Sequence, residues 1–271
     1  MVIKSKLKEA STWKTIIEAL FSIVPDIHFS ADESGLHARA IDEAHIAMVD
    51  LNLPKAAFEI YECTAELKFG ISLAEMTQIM RRSGSTESLE LSVDATKAPI
   101  PKEVEEVQLQ EEEYRIKGKL KLKLKSATST RNFNLSLLGA TGEDEIPIPK
   151  IEFNTSLVIN AGILKDAIKD AEIVGDYIIL ETTPDTLKVK AEGDTGDVEV
   201  VINKDTLYKY DVKEDSKAIY SLKYLSDMTK AVSSADELEI EYSSDMPLKI
   251  GFETGGGKLE YYLAPRIEGN E

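Results

Sequence analysis

The stretch GATGEDEIPIPKIEF, residues 139–153, separates two halves of the chain that repeat one pattern. Its acidic run EDE is followed by Pro147 and Pro149, whose rings fix the backbone and keep the preceding residues extended. Such a segment suits neither a core strand nor a helix. We therefore predict an interdomain connector here, between an N-terminal domain at residues 1–138 and a C-terminal domain at residues 154–271.

Two gapless matches indicate the repeat. Residues 7–29 lie over residues 157–179 at an offset of 150, and residues 72–91 lie over residues 221–240 at an offset of 149. Solenoid repeats recur at periods several times shorter than this. The matches therefore predict one duplicated domain.

Composition favours a globular protein. The 271 residues are 42% hydrophobic and 30% charged, which is enough for two domains with cores of their own. No apolar run is long enough to span a bilayer, and the first residues lack the apolar core of a signal peptide. The single cysteine, Cys63, excludes an internal disulfide. We expect a cytosolic or nuclear protein without a membrane partner.

The spacing of apolar residues predicts an α+β fold. Period-3.6 patterns predict a helix that begins at Ala10 or Ser11 and is closed by Pro25, and further helices at residues 73–82, 161–173 and 222–232. Strands are predicted at residues 27–30, 36–41, 45–53, 67–71, 89–93, 114–126, 131–138, 156–159, 177–181, 187–192, 198–203, 238–242, 248–253 and 258–263. Because these strands are short and closely spaced, antiparallel sheets covered by helices on one face are expected.

The two halves differ at residues 98–113, APIPKEVEEVQLQEEE, where the first half has an acidic insertion. We interpret the insertion as a surface excursion. Directly after it, lysines from Lys117 to Lys125 alternate with glycine and leucine, which predicts a half-buried strand with one lysine face. That face is either a nucleic-acid contact or a solvated outer surface, and the second interpretation is favoured.

No residue pattern indicates catalysis. The run at residues 255–258, GGGK, lacks the spacing of a phosphate-binding loop and is predicted to be a hairpin turn. His28, His37 and His45 are not paired at metal-ligand spacing, and Cys63 has no nucleophile motif. We therefore predict no catalytic residue, no metal site and no cofactor, and expect a binding or scaffolding protein.

Three segments carry a family resemblance: LHARAIDEAHIAMVDLNL from Leu36, SLAEMTQIMRRSG from Ser72 and KLEYYLAPRIE from Lys258. Together they resemble the DNA sliding clamps of the proliferating cell nuclear antigen family, most closely the archaeal ones. The resemblance implies the DNA clamp fold, in which each subunit has two similar domains of antiparallel sheets with two helices each. It also implies a toroidal trimer with the helices lining the hole and the sheets outside.

The resemblance implies a set of basic residues that face DNA. They are Lys14, Arg81, Arg82, Lys165, Lys169, Lys223 and Lys230. Any single one of them is equally well explained as a solvent-facing helix residue. As a group they would reconcile DNA binding with the net charge of −17, because a ring can be acidic outside and basic within.

Two further sets of residues follow from the resemblance. A partner-peptide pocket is implied at Ile41, His45, Ile46, Met48, Pro149, Phe153, Pro247, Tyr262, Ala264, Pro265 and Ile267. Subunits are implied to meet by strand pairing at Asn134, Leu135, Leu137, Val198, Val200 and Ile202. Core packing is the alternative for Ile46, Met48 and Pro247. The chain departs from the family pattern at Phe153, where tyrosine is common, and in the length of its acidic insertion.

The function implied is that of a processivity factor without enzymatic activity. Such a clamp encircles duplex DNA regardless of sequence and tethers DNA polymerase, flap endonuclease and DNA ligase. An ATP-dependent clamp loader opens the ring, which we expect to be a homotrimer. The chain would be cytoplasmic and nucleoid-associated in an archaeon, or nuclear in a eukaryote. The alternatives are a clamp-fold subunit of a heterotrimeric checkpoint or repair ring, and an enzyme with a two-domain α+β body.

Overall fold

Each half of the chain folds into the same succession of elements. The computed structural model describes residues 2–84, 86–99, 114–139, 146–194 and 196–267, and these contain eighteen strands and four α-helices. The residues form two compact units, one of residues 1–40, 51–147 and 255–257, the other of residues 41–50, 148–254 and 258–271. The predicted continuous domains and the connector at residues 139–153 remain predictions, and residues 140–145 lie outside the described ranges.

The elements of the first half are β1 (Val2–Leu7), α1 (Ala10–Phe21), β2 (Asp26–Ala31), β3 (Gly35–Ile41), β4 (Ala47–Pro54), β5 (Ile60–Cys63), β6 (Leu67–Ser72), α2 (Leu73–Met80), β7 (Ser88–Pro99), β8 (Tyr114–Lys125) and β9 (Thr130–Ser136). Those of the second half are β10 (Thr155–Asn160), α3 (Ala161–Glu172), β11 (Tyr177–Thr182), β12 (Thr186–Gly193), β13 (Gly196–Asn203), β14 (Lys209–Val212), β15 (Ser216–Ser221), α4 (Leu222–Lys230), β16 (Glu237–Tyr242), β17 (Leu248–Thr254) and β18 (Gly257–Leu263).

The first unit contains a five-stranded sheet in the order β5-β1-β7-β8-β9 and the strand succession β4-β3-β2-β6. Helix α1 packs against α2 and against β1 and β7, while α2 also packs on β2, β6 and β9. The apolar residues of α1 recur at the helical period, and Trp13, Ile16, Ile17 and Leu20 are all buried. These side chains form the centre of the core of the unit.

The second unit repeats this arrangement. One sheet has the order β13-β12-β11-β15, and the other has the succession β14-β10-β16-β17-β18. Helix α3 packs on α4 and on β10, β11, β12 and β13. The side chain of Asn160 accepts a hydrogen bond from the Gly162 N–H over 3.0 Å, so α3 begins with a capping residue. The strand pairs with a described register are antiparallel, which confirms the predicted α+β fold of antiparallel sheets and helices.

The repeat has two offsets, and the structure changes one of the two predicted values. Helix α2 begins at Leu73 and α4 at Leu222, which confirms the offset of 149. The offset of 150 predicted for the first helices is wrong by one residue, because α1 and α3 begin 151 residues apart, and Trp13 matches the buried Leu164. At an offset of 150, Trp13 would match Ile163, which is 37% exposed. Because α1 contains several neighbouring apolar residues, the sequence alone did not distinguish the two alignments.

The lysine strand was predicted correctly as half-buried. Leu120, Leu122 and Leu124 of β8 are buried, while lysines alternate with them on the other face. Lys121 pairs with Asp94 at 2.5 Å and Lys123 with Glu90 at 3.1 Å, both across to β7. These ion pairs favour a solvated outer face over a nucleic-acid contact.

Other strands were missed or misplaced in the sequence prediction. Strands β1, β5, β14 and β15 were not predicted, and β7 continues to Pro99, so the first two residues of the predicted insertion at residues 98–113 belong to a strand. The remainder, residues 100–113, lies outside the described ranges. The predicted hairpin turn between β17 and β18 is confirmed, because Gly255 and Gly256 have φ angles of 58° and 82°. Among the described residues no helix is long and apolar enough to cross a membrane.

Candidate functional site

The segment that follows β18 is held by backbone hydrogen bonds on two sides. The Ala264 N–H donates to the Ile46 carbonyl over 2.8 Å, and the Arg266 N–H donates to the Ile219 carbonyl over 2.7 Å. The Arg266 guanidinium lies 3.9 Å from the ring centroid of Tyr177, which adds a cation–π contact. Residues 264–266 are therefore held in a defined position on the second unit.

The turn between β3 and β4 forms a further wall of this region. Its Ile46 side chain is 38% exposed, and His45 adopts the left-handed φ of 57° that non-glycine residues rarely take. The His45 Nδ1 lies 3.3 Å from the Glu43 carbonyl oxygen, so its ring folds back on the turn. His45 is exposed.

The predicted pocket residues differ in exposure. Ile46, His45, Pro149 and Ile267 are exposed, while Ile41, Phe153, Pro247, Ala264 and Pro265 are partly buried. Met48 is 5% and Tyr262 7% exposed. Met48 therefore belongs to the core of the unit, as the alternative interpretation anticipated, whereas Ile267 is 74% exposed.

A cleft of about 580 Å³ brings Pro149, Phe153 and Tyr262 together. Its polar lining was not predicted and comprises Glu152, Asn154, Ser156, Lys209, Asp211, Lys213, Glu241 and Lys249. Two of these lysines come from β14 and the residue after it, a short strand that the sequence analysis missed. Its sequence KYDV at residues 209–212 alternates charged and uncharged side chains, but four residues are too few for this alternation to indicate a strand by itself.

Lys249 is the most constrained cation in this cleft. Its ammonium lies 3.0 Å from a Glu241 oxygen and 3.2 Å from a Glu260 oxygen. Burial disfavours the charged form, but the two carboxylates outweigh it and raise the pKa of Lys249 above its usual value. The charge of Lys249 is thus balanced within the sheet.

The predicted DNA-facing residues all lie on or directly after the four helices. Lys14 is partly buried on α1, and Arg81 and Arg82 are exposed just beyond α2. On α4, Lys223 is exposed, and Lys230 pairs with Asp227 at 2.6 Å. Both ends of that pair lie on the same helix, and Lys230 is well exposed, so the pair contributes little to stability.

The two lysines of α3 differ in environment. Lys169 pairs with Asp166 at 2.9 Å, and both side chains are largely exposed. Lys165 donates a hydrogen bond to the Val232 carbonyl over 2.6 Å, just past the end of α4. Burial first, and the charge of Lys169 second, lower the pKa of Lys165. Lys165 therefore joins α3 to the end of α4, a role that its position in the sequence did not reveal.

Charge is distributed unevenly between the helices and the rest of the chain. The helices, counted with Arg81 and Arg82, hold seven basic and six acidic side chains. Since the chain has 32 basic and 49 acidic residues in all, the remainder holds 25 basic and 43 acidic residues. The net negative charge therefore lies entirely outside the helices, which are themselves close to neutral rather than strongly basic.

The two strands predicted to join subunits are both edge strands. Strand β9 ends the five-stranded sheet of the first unit, and β13 ends a sheet of the second. Leu135 and Ile202 point into the cores of their units, at 8% and 6% exposed, whereas Val198, Val200 and Leu137 are partly buried and Asn134 is exposed. Beside β9 lies a cleft of about 520 Å³ whose lining includes Ile79 and Phe133, which were not predicted.

The described residues contain no group of three or more His, Cys, Asp or Glu side chains that could hold a metal ion.

Comparison with known proteins places the chain in a family. Its residues 2–128 match the N-terminal domain of proliferating cell nuclear antigen, and residues 147–267 match the C-terminal domain. A DNA polymerase sliding clamp of Methanococcus maripaludis is 34% identical over 262 residues, which cover 94% of this chain and 96% of that protein. A DNA polymerase sliding clamp of Nitrosopumilus maritimus is 29% identical and covers 99% of this chain over its own full length.

Solved structures agree with this. The crystal structure of proliferating cell nuclear antigen from Thermococcus kodakaraensis is 26% identical, covers 97% of this chain and all of its own, and superposes with a TM-score of 0.84. The A. fulgidus protein, solved with the C-terminal region of FEN-1 bound, is 26% identical, covers 99% of this chain and all of its own, and superposes with a TM-score of 0.82. The duplicated fold and the two domain matches lead to one conclusion: this chain belongs to the proliferating cell nuclear antigen family.

Proposed function

We propose that this chain is a DNA polymerase sliding clamp, a non-catalytic processivity factor that encircles duplex DNA and tethers replication and repair enzymes. The observation that carries the proposal is the match of both halves to the two clamp domains, together with relatives named as DNA polymerase sliding clamps over nearly the full chain. Fold alone does not imply function, but a match at this identity and coverage is far more specific than a shared fold.

Contact with DNA is assigned to the four helices. Lys14, Arg81, Lys169, Lys223 and Lys230 lie on or beside them, and Arg82 and Lys165 are secondary candidates. Lysine and arginine side chains contact phosphates without reading bases, so binding is independent of sequence and weakens with salt. The nearly neutral helices within an otherwise acidic chain support this assignment. Acidic surfaces elsewhere would keep DNA away from the outside.

Partner enzymes are proposed to dock on the second unit. The related A. fulgidus clamp was solved with the C-terminal region of FEN-1, a flap endonuclease. In this chain, the exposed Ile46, Pro149 and Ile267 and the cleft beside Phe153 offer apolar surface to a short peptide with aliphatic and aromatic anchors. We assign DNA polymerase, flap endonuclease and DNA ligase as partners that bind in this way.

The ring is proposed to be a homotrimer, loaded by an ATP-dependent clamp loader. Among the described residues, edge strands β9 and β13 each have a neighbouring strand on one side only, and pairing between subunits would satisfy the backbone groups of the other side. A heterotrimeric ring with paralogous subunits is the second candidate. We place the chain in the cytoplasm, associated with the nucleoid, in an archaeon, or in the nucleus of a eukaryote.

The proposal is tested by primer extension. Purified protein with a clamp loader and an archaeal replicative polymerase should lengthen the products made per binding event on a primed circular template. A linear template of the same sequence is the control, because a ring slides off free ends. Equal product lengths with and without the protein on the circular template would contradict the proposal.

A further inference from the structure

The carboxylate of Asp42 is the centre of the turn between β3 and β4. Its Oδ1 accepts hydrogen bonds from the Ile46 N–H at 2.8 Å and the Ala47 N–H at 2.7 Å. The backbone closes around the same residue, since the Asp42 N–H donates to the Ala47 carbonyl and the His45 N–H donates to the Asp42 carbonyl, each over 2.9 Å. Asp42 is only 8% exposed, so removing these bonds would leave buried polar groups unpaired.

A second element reaches this carboxylate. Tyr224, in the first turn of α4, donates its hydroxyl to the Asp42 Oδ2 over 2.6 Å, although 182 residues separate the two in sequence. Burial would raise the pKa of Asp42, but the Ala47 N–H and the Tyr224 hydroxyl outweigh it and lower that pKa. The hydrogen bond to Asp42, together with burial, raises the pKa of Tyr224 to about 12. The bond therefore joins an ionised carboxylate to a protonated phenol near neutral pH, which is a strong type of hydrogen bond.

The turn governs two features of the candidate pocket. It directs the Ile46 carbonyl toward the Ala264 N–H, which anchors the segment after β18. It also keeps the Ile46 side chain 38% exposed and holds His45 at its positive φ. A backbone conformation of that kind persists only when the surrounding bonds impose it. Loosening the turn would therefore disturb both walls of the pocket at once.

We propose that Asp42 and Tyr224 are positioning residues for partner binding: their hydrogen bond holds residues 42–47 in the conformation that presents Ile46 and anchors Ala264. This inference rests on the proposed use of the pocket as a peptide site. Neither side chain needs to touch the peptide, because each acts through the turn. Tyr224 is thereby a link between α4, which carries the proposed DNA contact Lys223, and the partner pocket.

The test measures binding of a synthetic peptide with the C-terminal sequence of an archaeal flap endonuclease, by calorimetry, to the full-length protein. Tyr224→Phe removes one hydroxyl and should raise the Kd about three- to tenfold, since a hydrogen bond to a charged group is lost. Asp42→Ala should raise the Kd more than tenfold. Asp42→Asn keeps a carbonyl oxygen for the Ile46 and Ala47 N–H groups and should recover most of the affinity.

A double-mutant cycle distinguishes positioning from general loosening. If Tyr224 acts through Asp42, Tyr224→Phe in the Asp42→Ala background should change the Kd less than twofold. Tyr210→Phe is the matched control, because the Tyr210 hydroxyl donates to the Thr183 carbonyl over 2.6 Å elsewhere in the same unit. That variant should leave the Kd unchanged. If Tyr224→Phe raised the Kd by the same factor in the wild-type and Asp42→Ala backgrounds, the proposal would be overturned.

Hydrogen exchange gives a readout that does not depend on the peptide. Exchange measured by mass spectrometry on fragments covering residues 42–48 and 260–267 should accelerate in Tyr224→Phe and stay at wild-type rates in Tyr210→Phe. Unchanged exchange in Tyr224→Phe would overturn the positioning role even if peptide affinity fell. Failure of the wild-type protein to bind the peptide would instead contradict the proposed function of the pocket, whatever the exchange rates show.

Discussion

Arg131 of the edge strand β9 donates a hydrogen bond to the buried carboxylate of Glu87 over 2.5 Å. A second guanidinium nitrogen of Arg131 donates to the Arg82 carbonyl over 3.0 Å, and Glu87 also accepts the Gly84 N–H over 2.7 Å. These bonds connect β9, proposed to meet the next subunit, with the end of α2, where Arg81 and Arg82 are proposed to meet DNA. The segment between α2 and β7 is therefore fixed by hydrogen bonds between the proposed subunit-contact strand and the proposed DNA-contact residues.

Loss of this carboxylate should weaken the first unit. We predict that Glu87→Ala lowers the free energy of unfolding by about 2 kcal/mol, because Arg131 and the Gly84 N–H lose their acceptor. Chemical denaturation measures the change. Glu90→Ala is the matched control, since the Glu90–Lys123 pair is partly exposed and should contribute less than about 0.5 kcal/mol. Similar midpoints for Glu87→Ala and wild type would contradict the structural role given to Glu87.

Assembly should depend on the free side of β9. Leu137→Lys is expected to shift the protein from trimer toward monomer, because a charge would be buried where strand pairing is proposed. Leu135 does not serve for this test, since it is 8% exposed and its replacement would damage the core. Ala127→Lys, in the exposed turn between β8 and β9, is the control. Light scattering at micromolar concentration measures the molecular mass. A Leu137→Lys protein with the mass of a trimer would contradict the assignment of β9 to the subunit interface.

DNA association should respond to the helices and not to the outer face. Changing Arg81, Lys169 and Lys223 together to Glu should reduce polymerase stimulation and lower the slope of log affinity against log salt by about three. A matched control with the same net charge changes three lysines of β8, namely Lys119, Lys121 and Lys125, to Glu. If the two triple variants lost stimulation equally, net charge and not the helices would be responsible.

The partner pocket should be separable from the ring. Ile46→Asp and, independently, Pro265→Ala with Ile267→Ala should each raise the Kd for a flap endonuclease peptide at least tenfold, about 1.4 kcal/mol. Both changes alter exposed or partly buried side chains, so the trimer should persist on a sizing column. Ile60→Asp, at an isoleucine that is 39% exposed on β5, is the control and should bind normally. Met48→Asp would mainly report on stability, because Met48 is buried. If Ile46→Asp bound the flap endonuclease peptide with wild-type affinity, the turn between β3 and β4 would not be part of the pocket.

Local periodicity was sufficient to predict most of the fold. The helices were identified because their apolar residues recur at i, i+3 and i+4, and the longer strands because burial alternates along them, as in β8. Strands β5 and β14 have four residues each, with apolar side chains exposed or partly buried, so they carry almost no periodic signal. The register of the repeat was one residue off at α1, where several neighbouring apolar residues fit either alignment.

The site was less predictable because its contacts join distant parts of the chain. Met48 and Leu135 are buried core residues, whereas Ile46 and Ile267 are exposed. No spacing in the sequence distinguishes the buried pair from the exposed pair. Asp42 and Tyr224 meet only after the second unit has folded, so their pairing has no local pattern. Family resemblance supplied the approximate positions of the basic residues, but the structure was needed to show that Lys165 is engaged with the Val232 carbonyl.

The two edge strands also limit which assemblies can form. Strand β9 and strand β13 are different surfaces on different units, so an interface between them would be heterologous, joining subunits head to tail. Head-to-tail contacts close into a ring only when the rotation per subunit divides a full turn evenly, and otherwise they continue into a helical filament. A substitution that alters the angle of this joint without breaking it should therefore produce open polymers of increasing length rather than monomers.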